Sequence, residues 1–181
     1  RPRAPARVPE GVAAVPRRHL SGFALTVRRR VAVAELFEAH LLAYCPGEDL
    51  DATYRYGRHG AVVVAPRALL HHRDAAASRL KRYRVLELGM LNSAFFTARN
   101  SDARLRHVPH YYVLGLRRLF AEFLKDLASG RLGLPQLRGA AAGLVQSVAV
   151  FARPRDTLGP WYVGLQCRLL GRAKPGTGMA D

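Results

Sequence analysis

Apolar residues in the last third of the chain recur with the period of a helix. Val113, Leu116, Phe120, Phe123, Leu124 and Leu127 form one stripe, with Arg117, Arg118, Glu122, Lys125 and Asp126 on the remaining surface. A 3.6-residue period of this kind predicts an amphipathic helix with the stripe turned to the core. Ser129-Gly130 ends it, and Pro135 suits the first turn of a second helix whose buried face is Leu137, Ala141, Leu144, Val145 and Val148. Pro154 to Pro160 then reads as a turn. Beyond it Trp161, Val163, Leu165, Cys167 and Leu169 alternate with Tyr162, Gly164, Gln166 and Arg168. That two-residue period predicts a strand.

The pattern is weaker upstream. Val33, Leu36, Phe37, His40, Leu41 and Tyr44 fit a helix that Cys45-Pro46-Gly47 stops, followed by an acidic turn from Glu48 to Asp51. Thr53–Tyr56 and Ala61–Ala65 are rich in strand-forming residues around Gly57-Arg58-His59-Gly60, and so predict a hairpin. Asp74 is placed to cap a helix reaching about Met90, with Leu80, Tyr83 and Glu87 on adjacent turns. The first sixteen residues hold four prolines and no apolar period, which predicts an extended tail. The expected fold class is α+β, in three parts. Residues 1–30 are a basic, Pro-rich tail and 31–100 a small helix and hairpin region. Residues 101–181 are a helix–helix–strand unit with a Gly/Arg-rich C-terminal turn.

Charge changes this picture more than composition does. The chain has 181 residues, 49% of them apolar, an ordinary value for a packed domain. It carries 29 bases against 13 acids, a formal charge of +16. Eight arginines and one acid fall in residues 1–34, and twelve bases and five acids in 101–181, so the excess lies at the two ends. Charge of one sign repels itself, and a polyanionic partner relieves the repulsion while counterions are released. Only Lys81, Lys125 and Lys174 are lysines. Guanidinium groups fork phosphates and stack on bases, which suits folded RNA, although a GC-rich genome also writes Arg for Lys. Arg17-Arg18-His19-Leu20-Ser21 is Arg-rich and acid-poor, like the end of an organellar transit peptide or a basic tail lying on RNA.

Residues that could carry catalysis are scarce. No Walker loop, dinucleotide fingerprint or GxSxG is present, and Ser21, Ser129 and Ser147 have no evident activating partner. Cys45 and Cys167 form no CxxC pair, which argues against a disulfide framework or a zinc site. His71-His72 and His107-x-x-His110 have no Cys or paired carboxylate at ligand spacing. Gly57–Gly60 fits the GxxG of a KH module, but a helix should follow it and Ala61-Val62-Val63-Val64 favours a strand. Glu122 and Asp126 share a helix with bases and read as solvated ion pairs. No apolar run reaches the length of a membrane span. The expectation is therefore a protein without catalytic residues, cofactor, metal or small-molecule substrate.

The C-terminal end carries a family resemblance. Gly164-Leu165-Gln166-Cys167-Arg168-Leu169-Leu170-Gly171-Arg172, followed by the small-residue stretch Ala173–Gly178 and Met179-Ala180, resembles the signature of the universal small-subunit ribosomal protein three family. The two helices before it are similar in order and length. The small-residue stretch is one residue longer than in the family, Asp181 stands where a base is expected, and the upstream KH domain is not recognisable. The resemblance implies a structural rRNA-binding protein of the small-subunit head, without catalysis, in a divergent organellar form. The expected setting is a mitochondrial ribosome in the matrix, or a plastid one, with rRNA and neighbouring ribosomal proteins as partners. The alternative is a basic accessory subunit of a respiratory-chain or ATP-synthase complex, bound to protein and cardiolipin through amphipathic basic helices. Expected RNA contacts are Arg28, Arg29 and Arg30; Arg79, Lys81, Arg82 and Arg84, where Tyr83 adds a stacking ring; Arg117, Arg118 and Arg138; and Arg168, Arg172 and Lys174.

Overall fold

The structure, a computed structural model, describes residues 14–17, 20, 25–42, 46–65, 67–68 and 80–172. Its elements are β1 (Val15–Pro16), α1 (Arg29–Ala34), α2 (Glu48–Tyr56), β2 (Val63–Val64), α3 (Arg82–Asn100), α4 (Arg104–Ala128), α5 (Pro135–Phe151) and α6 (Arg155–Leu170). The described residues are mainly helical, with one two-stranded antiparallel sheet among them. The described residues divide into two compact units, one within 1–37 and 49–75, the other within 38–48 and 76–181. The division does not follow the expected boundaries near 30 and 100, because α3 belongs with the helices after it.

In the first unit the expected hairpin is absent. Thr53–Tyr56 is the last turn of α2, and β2 pairs instead with β1, Val15 opposite Val64 and Pro16 opposite Val63. Local polar bonds override strand propensity here. The Thr53 hydroxyl donates to the Asp49 carbonyl at 2.7 Å, and Arg55 Nε donates to Asp51 one turn back at 3.0 Å. The expected acidic turn at Glu48–Asp51 is therefore the start of a helix, where carboxylates oppose the helix dipole favourably. α1 is shorter than the apolar spacing suggests and ends at Ala34, leaving Leu36 and Phe37 in coil. Tyr44 and Cys45 lie outside the described residues. Pro2, Pro5 and Pro9 of the expected tail also lie outside them, whereas Pro16 sits in the sheet.

The second unit is a bundle organised around α3. Asp74 lies outside the described residues; α3 begins at Arg82 and runs ten residues past Met90. It lies parallel to α5 at unusually short range. A Cβ added at Gly139 would stand 2.2 Å from the Tyr83 carbonyl oxygen, and one at Gly143 would stand 2.5 Å from that of Glu87. The two glycines, four apart on one face of α5, are what lets the backbones approach this closely. α4 returns antiparallel, its Gly115 against Leu144 and Met90. The Tyr111 hydroxyl donates to the Met90 carbonyl at 3.0 Å.

α6 is the largest departure from expectation. Trp161–Leu169 is helix, not strand, and the expected turn at Pro154–Pro160 is its first turn and a half, with Pro160 inside it. Gly164, Gln166 and Tyr162, which alternation places on a solvent face, are buried with Leu165 and Cys167. Tyr162 stacks on Phe95 at 4.5 Å and its hydroxyl donates to Asn92 Oδ1 at 2.5 Å. Gln166 Nε2 donates to the His40 carbonyl at 2.6 Å, and its Oε1 accepts from the Leu42 amide at 3.1 Å. Helix polar groups thus satisfy the backbone of the coil strapped across them. Gly171, at φ 63°, ends α6; the Arg172 amide donates to the Cys167 carbonyl at 3.0 Å and the Gly171 amide to that of Arg168. This pairing is a Schellman cap.

The expected packing of the stripe on α4 is also reversed. Leu116 is 61% exposed and Phe120 64%, and Val113, Leu124 and Leu127 are exposed as well. The side of α4 toward the bundle is Tyr111, Gly115, Glu122 and Asp126. On α5, Leu144 is buried as expected, but Val145 and Val148 are exposed, and the inward face is Gly139, Ala140, Gly143, Ser147 and Val150. Small residues occupy that face because α3 is too close to admit larger ones.

Candidate anion-binding surface

Most acids of the second unit are turned inward, while Asp102 and Asp156 are exposed at the end of the bundle where α3 stops and α6 starts. Glu38, Glu87, Glu122 and Asp126 are buried. Glu122, expected to be solvated, receives Arg118 Nε at 2.7 Å and Lys125 Nζ at 2.8 Å. Glu87 pairs with Arg84 and accepts from Gln146 Nε2 at 2.8 Å. Glu38 pairs with Arg99 and with His40. Asp126, also expected at the surface, caps a different helix. Its Oδ2 accepts from the Gln136 and Leu137 amides at 2.8 and 3.0 Å, and its Oδ1 from Gln136 Nε2 at 3.1 Å. Burial pushes the Asp126 carboxyl up, but those donors, first the Leu137 amide, hold it below its ordinary value. The sequence does carry a signal for this role. α5 begins Leu134-Pro135, with no side chain at the cap position able to accept. Leu134 itself is left-handed at φ 45°.

Lys81, Arg82, Arg138, Arg168 and Arg172 collect toward one end of the bundle, whereas Arg106 and Arg153 are exposed at the other. Tyr83 lies against Gly139, so the start of α3, with Lys81 and Arg82 exposed, is level with Arg138 on α5. Asp126 brings the end of α4 to the same level. α6 runs antiparallel to α3, Arg155 bonding the Ala98 carbonyl at 3.3 Å and Tyr162 bonding Asn92, so Arg168 and Arg172 lie toward that end also. α3 has no acid in its first turn, and Lys81 at its cap position makes no side-chain cap bond. Arg84 lies over the Tyr83 ring at 5.6 Å. Arg172 Nη1 donates to the Leu42 carbonyl at 3.1 Å. Arg117 and Arg118 are exposed midway along α4. Among the described residues, Lys81, Arg82, Arg117, Arg138 and Arg168 have no carboxylate partner.

Other expected contacts are not brought to this end. Arg28, Arg29 and Arg30 are exposed around the start of α1, in the other unit. Arg79 and Lys174 lie outside the described residues, as do His71 and His72. In the first unit Arg55 and His59 are instead bound up in a local network. Arg55 joins Asp51 to Glu35 at 2.9 Å, and His59 Nε2 meets Glu35 at 3.1 Å. Hydrogen bonds from His59 and then Arg55 hold the Glu35 carboxyl below its ordinary value. Gly57–Gly60 is a turn from helix to strand, with Arg58 over the Tyr54 ring at 5.3 Å.

No group of three or more His, Cys, Asp or Glu able to hold a metal occurs among the described residues. His107 Nδ1 is 2.5 Å from the Ser101 hydroxyl. No described helix is long and apolar enough to cross a membrane. No protein-family model matches the sequence, and no curated protein or solved structure matches the chain.

Proposed function

We propose that the chain docks on a polyanionic surface through the cations at the open end of its helical bundle. The observation that carries this reading is the segregation of charge. Glu87, Glu122 and Asp126 are turned inward, whereas Lys81, Arg82, Arg138 and Arg168 face solvent. The buried acids are already matched by Arg84, Arg118, Lys125 and backbone amides, and the chain still carries a net +16.

Structured rRNA, in the small subunit of a mitochondrial ribosome, is the first candidate for that polyanion. The charge and the preponderance of arginine support it. The likeness to ribosomal protein three gives it less support than the sequence suggests, because the segment read as its strand is the helix α6. The second reading is an accessory subunit of a respiratory-chain or ATP-synthase complex, held to protein and anionic lipid. The exposed apolar stripe on α4 specifically favours it.

Nuclease digestion before gradient sedimentation separates the two. A ribosomal protein leaves the heavy particle when RNA is cut, and a respiratory subunit stays in its complex. For either polyanion, affinity should fall steeply with salt, by about 0.7–0.9 log units per log unit of salt for each phosphate neutralised on a nucleic acid. An affinity that stays flat from low to physiological salt would remove the proposal.

A further inference from the structure

α4 and α5 together leave an apolar face uncovered. Round α4, Tyr111 faces α3, and Tyr112, whose hydroxyl accepts from Ser147, faces α5. Leu116, Leu127 and Phe120 come next in the same direction, then Val113 and Leu124, and all five are exposed. Round α5, Gly139 faces α3 and Leu144, against Gly115, faces α4, with the exposed Val148 next. The two helices are antiparallel, so both progressions lead to the same outer face. The five residues of α4 lie within about 80° of arc and extend about 21 Å along the helix. Between Val113 and Leu127 the charged residue beside them is Arg117, at the Leu124 edge. Arg118 and Lys125 lie further round the helix, on buried Glu122.

We infer that a second copy of this chain covers the face, in a two-fold dimer with the two α4 helices antiparallel. The spacing of the stripe selects that occupant. Val113 stands seven residues before Phe120 and Leu127 seven after, while Leu116 stands four before and Leu124 four after. A two-fold axis at Phe120 therefore sets Phe120 on its own copy, Leu116 on Leu124 and Val113 on Leu127, the last two pairs occurring twice. An interface between identical surfaces needs this self-complementarity. The area is sufficient. The five side chains and Val148, each exposing on the order of 100 Å², present about 600 Å² a side and about 1,200 Å² for the pair, where stable interfaces begin. Half-buried Phe123 and Leu137 add to it. The charge at the border does not oppose the pairing directly. Arg117 stands three residues before the axis, so the two copies of it are staggered by six residues, about 9 Å along the helices. Dimerisation through α4 stands whichever polyanion the cationic end of the bundle docks on.

Sedimentation equilibrium of the full chain, joined to cysteine cross-linking, tests the inference. Two copies at +16 repel, so association should tighten as salt rises, the opposite of polyanion docking. Wild type should be dimeric at about 50 μM in about 0.5 M salt and should dissociate on dilution. L116S/F120S should weaken the dimer about tenfold or more. At dilutions where the copies are apart, this variant should keep the wild-type urea curve, since neither side chain is buried. On mild oxidation F120C should join to its own copy well above the wild-type background. L132C, exposed but twelve residues from the axis, should not. A chain that stays monomeric at high salt overturns the inference and leaves polyanion docking standing. Association that weakens with salt, or that L116S/F120S leaves unchanged, comes from another surface and overturns it as well. So does F120C that cross-links only to a different protein in the native assembly.

Discussion

α4 and α6 are opposite cases of one problem. α4 carries the clearest apolar period in the chain and turns it to solvent; α6 carries none that reads as a helix and supplies much of the core. An apolar stripe records that something is to be covered, not that the domain's own core covers it. A helix buried on several sides needs no stripe, because polar positions such as Gln166 can be satisfied inside by backbone. Periodicity therefore gives the element in α4 correctly and its packing wrongly, and in α6 it fails on the element itself.

The same substitution in the two helices sharpens the comparison most. Leu158 on α6 is 1% exposed and Leu116 on α4 is 61% exposed. Leu158→Ala should cost about 2–5 kcal/mol of stability through the cavity it opens, whereas Leu116→Ala should change stability by less than about 0.5 kcal/mol. Urea denaturation of the two variants measures both. Similar losses would mean that the stripe is covered in the folded chain and that α4 is rotated from the orientation described.

A smaller effect concerns the entry to α5. Leu134 holds a left-handed conformation that a leucine adopts at a cost of about 1–2 kcal/mol. Leu134→Gly should remove that strain and raise the thermal midpoint, provided Asp126 still caps the helix. A lower midpoint would show that the partly buried Leu134 side chain matters more than its backbone.

The smallest effects are in the pH limits of stability. Tyr111 is pushed up to about 12 by burial, from an ordinary value of 10.0. Its folded value is raised, so its contribution is complete below about 10 and is lost as pH climbs toward about 12. Asp126 works in the other direction. Its lowered value makes a contribution that is present above the ordinary carboxylate range and lost as pH falls through the folded value. Denaturation midpoints across pH should show the alkaline loss reduced in Tyr111→Phe and the acid loss reduced in Asp126→Asn. An unchanged alkaline limit in Tyr111→Phe would place the critical titration elsewhere.

Much of the second unit is legible in the sequence where local signals act alone. Ser129-Gly130 stops α4 and Pro135 starts α5, because a terminating glycine and a first-turn proline need no tertiary partner. Gly171 was legible as a special position, but as part of a family signature rather than as a helix cap. The hairpin failed for a different reason. Thr53, Tyr54 and Tyr56 favour a strand, yet a hydroxyl–carbonyl bond and an Asp51–Arg55 pair one turn apart stabilise a helix over the same residues. The basic runs were legible as charge. Their convergence was not, since it depends on α3 and α5 running parallel while α6 runs back.

That parallel pairing has an evolutionary consequence. Arginines on the outside can drift, move along a helix or exchange with lysine while the bundle stays intact. Gly139 and Gly143 have no such freedom, because even alanine would place an atom on the backbone of α3. Ancestry in distant relatives of this chain should therefore survive as two glycines four residues apart in the helix after Pro135, long after the charge that dominates its composition has been rewritten.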